Sequence, residues 1–370
     1  MRLVPIECVR GGSLLGKTLY DNDGRVLLKA GITLTENLIL RIKRVNILSI
    51  YIVDKYSDLE IDDIIKPELR QKSVQVLKET FNNVERLISC TPITPKGKYE
   101  QLKQCDEYFN SIHSIAEELL DNILNNKNLL VSLVDIKSMD NYTYQHSVNV
   151  AIISVVLGVG LKLPKRDLVN LCVGGLIHDI GKVLIPKEII VKQGPLTYDE
   201  FQIMKEHPQK GYDYISKNCN ITTASKLIIH QHHEKIDGTG YPNGLSGNKI
   251  NNLARIVAIA DVYDALTSNR PYRRALCASD ALEYIMANAD KAFDFEMVRV
   301  FSKVIVPFPF GTIVELSNGD IGVVQETIPN YPLRPYIKII KSEKNSSLIG
   351  NTVSLVDELS LVISNIQYDV

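Results

Sequence analysis

Six of the chain's seven histidines fall between His146 and His233: His146, His178, His207, His230, His232 and His233. Asp179, Lys182 and Asp261 accompany them. Imidazole and carboxylate are ligands that suit iron, manganese, zinc and their neighbours, so this stretch reads as a metal centre. His178 and Asp179 are adjacent at the expected end of an apolar helix, where both side chains reach one point just beyond it. A carboxylate has two oxygens, which makes Asp179 the natural bridge between two cations. Lys182 follows about one turn later, where an ammonium can hold a phosphate against the metals. Taken singly, each residue has a plainer reading as an ordinary core or surface group. The number of such residues where apolar helices stop decides for metal. His230, one turn before His233, is expected outside the ligand set.

The elements that must position these groups follow from the surrounding pattern. Leu168–Ile177 is an apolar helix that delivers His178. Thr197 and Glu200 form a capping box that starts a second helix, which His207 is expected to close, with Pro208 turning the chain out of it. Leu227–Gln231 is apolar and ends at His232-His233. Asp261 lies in the run Ala254–Ala260, so apolar that an unpaired charge would be costly; a cation makes it tolerable. The loop Asp237-Gly-Thr-Gly-Tyr-Pro242 carries glycines that favour an unusual backbone shape.

At 370 residues the chain exceeds one ordinary core. Net charge is −1, with 45% hydrophobic and 23% charged residues. That balance describes a globular protein with no general attraction for duplex nucleic acid or an anionic membrane. The N-terminus has no signal-peptide core, and the most apolar run, Val150–Leu161, is too short to span a bilayer. A cytoplasmic location is expected, and the six scattered cysteines are expected as reduced, mostly buried thiols.

The fold expected is multidomain and mainly α. Residues 1–62 form a small α+β accessory or regulatory module, with a hairpin around Asp23-Gly24 and a helix capped by Thr35. Residues 63–128 form a helical connector, a hairpin packed on its own protein with a homodimer surface as the alternative. Residues 129–305 are the all-helical domain bearing the motifs. Residues 306–370 form a β-rich appendage, closed or sandwich-like, with a two-residue turn at Asn318-Gly319.

His146, His178-Asp179 and Asp261 together resemble the HD metal-dependent phosphohydrolase superfamily. His207, His232-His233, Gly240-Tyr-Pro242, His178-Asp-Ile-Gly-Lys182 and Asp261-Val-Tyr-Asp-Ala-Leu-Thr-Ser-Asn-Arg-Pro-Tyr-Arg273 resemble its HD-GYP subfamily, across about 140–285. The resemblance implies an HD-type helical domain that hydrolyses the bacterial second messenger cyclic di-GMP, to linear pGpG, GMP or both. The attacker would be a hydroxide activated by two divalent transition-metal ions, iron or manganese before other divalent metals. It places His146, His178, Asp179 and Asp261 on one metal and Asp179, His207, His232 and His233 on the other. Lys182 would contact the scissile phosphate, while Arg270 and Arg273 would clamp ligand phosphates, a task that suits guanidinium geometry. Some family members hold a third metal with a glutamate four residues before the first histidine; Tyr142 stands there, which favours two metals. The loop at Tyr241 is open to three roles: a substrate wall, a docking site for a diguanylate cyclase domain, or a tight turn.

Other readings stay open. The substrate could be cyclic GMP-AMP, a linear dinucleotide or another nucleotide phosphate. The protein could be a non-hydrolytic cyclic di-GMP receptor or scaffold, which intact ligand positions disfavour. A di-iron oxygenase could use similar ligands, but Lys182 and the arginine motif favour phosphate.

Overall fold

The structure is a computed structural model that describes residues 1–370 except 22–24, 46, 57–63, 90–94, 127–141, 269–274, 329, 343–345 and 369–370. The chain opens with strands β1 (Arg2–Pro5), β2 (Leu14–Leu15), β3 (Leu19–Tyr20) and β4 (Val26–Leu28), helix α1 (Glu36–Arg44) and strand β5 (Ser49–Val53). β5 lies between β1 and β2, antiparallel to both, and β3 pairs with β4 as the hairpin pattern predicts. The turn residues Asp23 and Gly24 lie outside the described residues. The Thr35 hydroxyl accepts from the Leu38 amide and caps α1, which buries Ile39 and Ile42 against Val4, Leu15, Leu34 and Ile50.

Two long helices follow, α2 (Pro67–Ser89) and α3 (Pro95–Asn125). Their apolar stripes, including Val74, Leu77, Phe81, Ile112, Leu119 and Ile123, lie in the same core as the helices that come after.

The motif-bearing stretch supplies α4 (Tyr142–Gly160), α5 (Lys165–Ile177), a 3₁₀ turn (Ile180–Leu184), α6 (Lys187–Ile190), α7 (Tyr198–Met204), α8 (His207–Asn218), α9 (Thr223–Gln231), α10 (Asn252–Thr267), α11 (Ala278–Ala287) and α12 (Phe295–Val304). α4 and α10 are apolar on nearly every face because both run through the centre of the bundle. α4 packs against α5, α10 and α12, and α5 against α9 and α3.

Strands β6 (Ile313–Leu316), β7 (Ile321–Ile328), β8 (Tyr331–Lys341), β9 (Thr352–Ser354) and β10 (Ile363–Ile366) form one antiparallel sheet in the order β10-β6-β7-β8-β9. β9 and β10 are the edge strands of this order, and Val353 of β9 and Ile363 and Ile366 of β10 pack on the same small core. The β6–β7 connection differs from expectation. Asp320 O accepts from Leu316 N, enclosing three residues, and Gly319 takes the left-handed conformation with φ 90° that such a loop requires. The chain's two ends meet, because the Arg2 guanidinium donates to Tyr368 O and pairs with Asp54.

The cysteine expectation needs one correction. Cys105 on α3 and Cys219 at the end of α8 form a disulfide with Cα atoms 5.9 Å apart; Cys8, Cys172 and Cys277 carry thiols. The partners are separated by 114 residues and meet only through helix packing, so spacing along the chain carried no sign of the pair.

Candidate metal centre

The ligand-type side chains come from five separate places and converge on Asp179. His178 caps the C-terminus of α5, and Asp179 follows it into the 3₁₀ turn. That turn lies against the start of α8 so closely that a Cβ on Gly181 would stand 1.9 Å from His207 O, so only glycine fits. His207 corrects the expectation that it closes a helix: α7 stops at Met204, and His207 opens α8 with Pro208 in its first turn. Proline is tolerated there because the first turn's amides have no partner within the helix. The Thr197–Glu200 capping box sets the start of α7 as expected. His232 caps α9 and His233 follows it. His146 and Asp261 lie within α4 and α10, which are packed together.

Two sets of ligand atoms lie close enough to share an ion: His146, His178 and Asp179, and Asp179, His207, His232 and His233. Asp179 belongs to both. Asp261 completes the wall, with Oδ1 3.1 Å from His146 Nε2 and Oδ2 3.8 Å from His233 Nδ1. Apart from half-buried His233, all of these residues are buried.

The hydrogen-bond pattern tests whether a cation fits. Gly175 O lies 2.8 Å from His178 Nδ1, Met204 O 2.8 Å from His207 Nδ1, and Ile229 O 2.9 Å from His232 Nδ1. A carbonyl only accepts, so each Nδ1 carries the proton and, in the neutral ring, each Nε2 presents a lone pair. Those Nε2 atoms stand 3.4, 3.3 and 3.9 Å from the Asp179 oxygens. His178 Nε2 is buried without a hydrogen-bond partner. Lone pairs converging on a buried carboxylate are mutually repulsive until positive charge sits among them. The residues fit metal ions.

The charge states agree. Burial works against ionised Asp179, but the Lys182 ammonium, 2.5 Å from Oδ2, and the His178 imidazole hold its carboxyl well below the usual range. Burial likewise opposes ionised Asp261, and the His146 contact outweighs it. Burial pushes His233 down to about 3 and, with neighbouring histidines, drives His232 well below its ordinary value. His146 goes the other way: burial lowers it, yet hydrogen bonds with Asp261 and Asp264 win and raise it to about 9. In the metal-free protein, a proton on His146 supplies part of the missing charge.

A profile of the HD domain family matches residues 119–297, and one of a KOW domain associated with HD domains matches 313–367. A cyclic di-GMP phosphodiesterase of Thermotoga maritima is 30% identical over 269 residues, covering 69% of this chain and 70% of that protein. The chain belongs to the HD-GYP branch of the HD domain family. A cyclic di-GMP phosphodiesterase of Pseudomonas aeruginosa is 38% identical over 239 residues, 65% of this chain and 58% of its own length. The 3'3'-cGAMP-specific phosphodiesterase 3 of Vibrio cholerae is 34% identical over 177 residues, 48% of this chain and 38% of that one. The chain thus spans less than two thirds of the Pseudomonas protein.

The loop that gives the HD-GYP branch its name stands beside the centre. Tyr241 stacks on His233, with ring centroids 4.7 Å apart. Gly240 passes so near the chain at His233–Lys235 that a Cβ would lie 2.4 Å from Lys235 N. Burial, together with Asp261 and Asp179, raises the Tyr241 pKa, so its phenol stays neutral. His230 lies outside the cluster, bonded to Gln209 and stacked on Tyr212. Arg270 and Arg273 fall outside the described residues.

Two contributors escaped the sequence reading. Buried Glu234 accepts from the amides of Asn243 and Leu245 and so fixes the loop. Buried Asp264 lies 2.7 Å from His146 Nδ1. Their signals were present: a carboxylate directly after His232-His233, and one a helical turn after Asp261.

Proposed function

We propose that this chain is a metal-dependent phosphodiesterase that hydrolyses cyclic di-GMP at a two-cation centre. The observation that carries the reading is the sharing of Asp179 by two ligand sets, with imidazole lone pairs aimed at it. The names of the Thermotoga and Pseudomonas relatives supply the substrate.

In this reading His146, His178, Asp179 and Asp261 hold one ion, and Asp179, His207, His232 and His233 the other. Bound ions would supply Lewis acidity, making water acidic near neutral pH and neutralising charge on phosphate oxygens. The chain's own groups do the rest. Backbone carbonyls hold three imidazoles in one tautomer. Lys182, part-exposed at the rim, offers an ammonium to a phosphate oxygen. Tyr241, stacked on His233, walls the site with a neutral phenol that can donate one hydrogen bond. Arg270 and Arg273 are proposed as phosphate clamps on the strength of the motif they occupy. No helix among the described residues is long and apolar enough to cross a membrane, which supports a cytoplasmic enzyme meeting a soluble nucleotide.

The test pairs elemental analysis of anaerobically purified protein with chromatography of its products from cyclic di-GMP and 3'3'-cGAMP. Two equivalents of metal and release of pGpG or GMP are expected, with Asp179→Ala losing metal and turnover together. Preferential turnover of 3'3'-cGAMP would move the substrate assignment. Full activity of Asp179→Ala would end the two-cation reading.

A further inference from the structure

His146 differs from the other histidines of the centre in how its ring is held. His178, His207 and His232 stand at helix ends, each with a carbonyl from the preceding turn against Nδ1. His146 lies inside α4, where preceding carbonyls are already engaged by the helix. Its Nδ1 therefore takes a partner from another element, Asp264 Oδ2 on α10 at 2.7 Å.

Asp264 is held in turn. Asn149 Nδ2 donates to its Oδ1 at 2.9 Å, and Ser268 Oγ donates to Oδ2 at 3.3 Å. Asn149 Oδ1 accepts from Arg70 Nη1 on α2 at 2.5 Å. His146, Asn149, Asp264 and Ser268 are all buried, so competition from water is limited.

The direction of these bonds is fixed at both ends, by the donor-only Arg70 and by the acceptor-only Asp264 carboxylate. A guanidinium has donors and no acceptor, so the Asn149 carbonyl must face it. The Asn149 amide nitrogen is then obliged to face Asp264, which accepts as a carboxylate. Asp264 in turn requires a proton on His146 Nδ1. That leaves Nε2, 3.1 Å from Asp261 Oδ1, as the nitrogen His146 turns towards the centre. The Asp264 carboxylate thus fixes the proton on His146 Nδ1, and Arg70 holds Asn149 in the orientation that donates to that carboxylate.

We propose that Arg70, acting through Asn149 and Asp264, is a positioning residue for His146, and that α2 thereby sets cation affinity in the His146–His178–Asp179 half of the centre. The inference rests on the two-cation reading. It gives α2, the helix that follows the N-terminal strands, a direct hold on one half of the centre. α2 also packs on the 3₁₀ turn after Asp179. In the other half, His207 and His232 have their tautomers set by the carbonyls of Met204 and Ile229.

The experiment titrates metal-free full-length protein with Mn²⁺ by calorimetry and follows the two-ion signal by electron paramagnetic resonance. Wild type is compared with Arg70→Met, Arg70→Lys, Asp264→Asn and the double variant Arg70→Met/Asp264→Asn. Asp264→Asn should weaken one Mn²⁺ step about 10–100-fold and leave the other alone, the usual range for loss of a ligand's outer partner. Arg70→Met should weaken that same step by about 3–10-fold, a smaller effect because two bonds intervene. Lysine, also donor-only, should restore most of it. In the double variant the Arg70 change should add nothing, since the relay is already cut. Melting of the metal-free Arg70 single variants should match wild type, whereas Asp264→Asn, which takes a charged partner from buried His146, should melt lower. Wild-type affinity at both steps in Arg70→Met, or equal weakening of both with a lowered metal-free melting temperature, overturns the relay alone. Wild type taking up fewer than two Mn²⁺ overturns the two-cation reading and the relay with it.

Discussion

At the scale of single residues, the centre is a problem of charge. Asp179 and Asp261 are held ionised and His232 and His233 neutral, so four of the groups already stand in ligating form. His146, raised to about 9, is the exception. A cation bound at its Nε2 must displace a proton, so Mn²⁺ affinity should climb as pH rises from 6 towards 9, by up to about tenfold per unit, and level off above that. The same shift acts oppositely on the metal-free protein. Its folded-state pKa lies above the ordinary 6.5, so the stability it contributes is complete below 6.5 and lost as pH passes through about 9. Calorimetric titration in buffers of different ionisation heat measures the released proton; affinity independent of pH would refute the assignment. Lys182 contributes charge but is expected not to be a ligand. Lys182→Met should keep two metals while kcat falls about 10²–10³-fold, as when a fixed group that stabilises developing charge is removed. Metal analysis beside steady-state kinetics separates that outcome from loss of the ions.

At the scale of elements, helix ends do most of the positioning. A helix that stops leaves its last side chains free to reach forward, and α5 and α9 end on His178 and His232 for that reason. Two glycines let backbone approach where side chains could not fit. At Gly240 the neighbours are the backbone atoms of the His233–Lys235 segment, which cannot rotate away. Gly240→Ala should therefore displace Tyr241 from His233 and destabilise the fold by about 1–3 kcal/mol, the cost of overpacking. Tyrosine fluorescence and urea melts provide the measurement; an alanine variant with unchanged stability and turnover would show that the loop relaxes freely.

At the scale of the whole molecule, α2 and α3 share one apolar core with the helices of the centre, while the N-terminal strands and the C-terminal sheet carry cores of their own and meet through Arg2 and Tyr368. Ion binding should therefore stabilise the helical unit as a whole. At a free-metal level about a hundred times Kd, linkage supplies about 2.7 kcal/mol per ion. Chelation should lower the main thermal transition by several degrees, and adding Mn²⁺ back should restore it; a transition indifferent to chelator would place the ions outside the folded unit.

Much of this was open to a reader of the sequence because it is written locally. Helix periodicity, the Thr197–Glu200 box, the cap at Thr35 and the clustering of histidines at apolar helix ends depend on residues a few positions apart. The ligand types themselves implied cations. The start of α8 at His207 was misread because a proline that ends one helix can equally begin the next. The Cys105–Cys219 pair, the order of the C-terminal strands and the hydrogen-bond chain from Arg70 through Asn149 and Asp264 to His146 were decided only by tertiary structure. Each needs atoms far apart in sequence to come within a few ångströms, and that proximity is set by which helix packs on which.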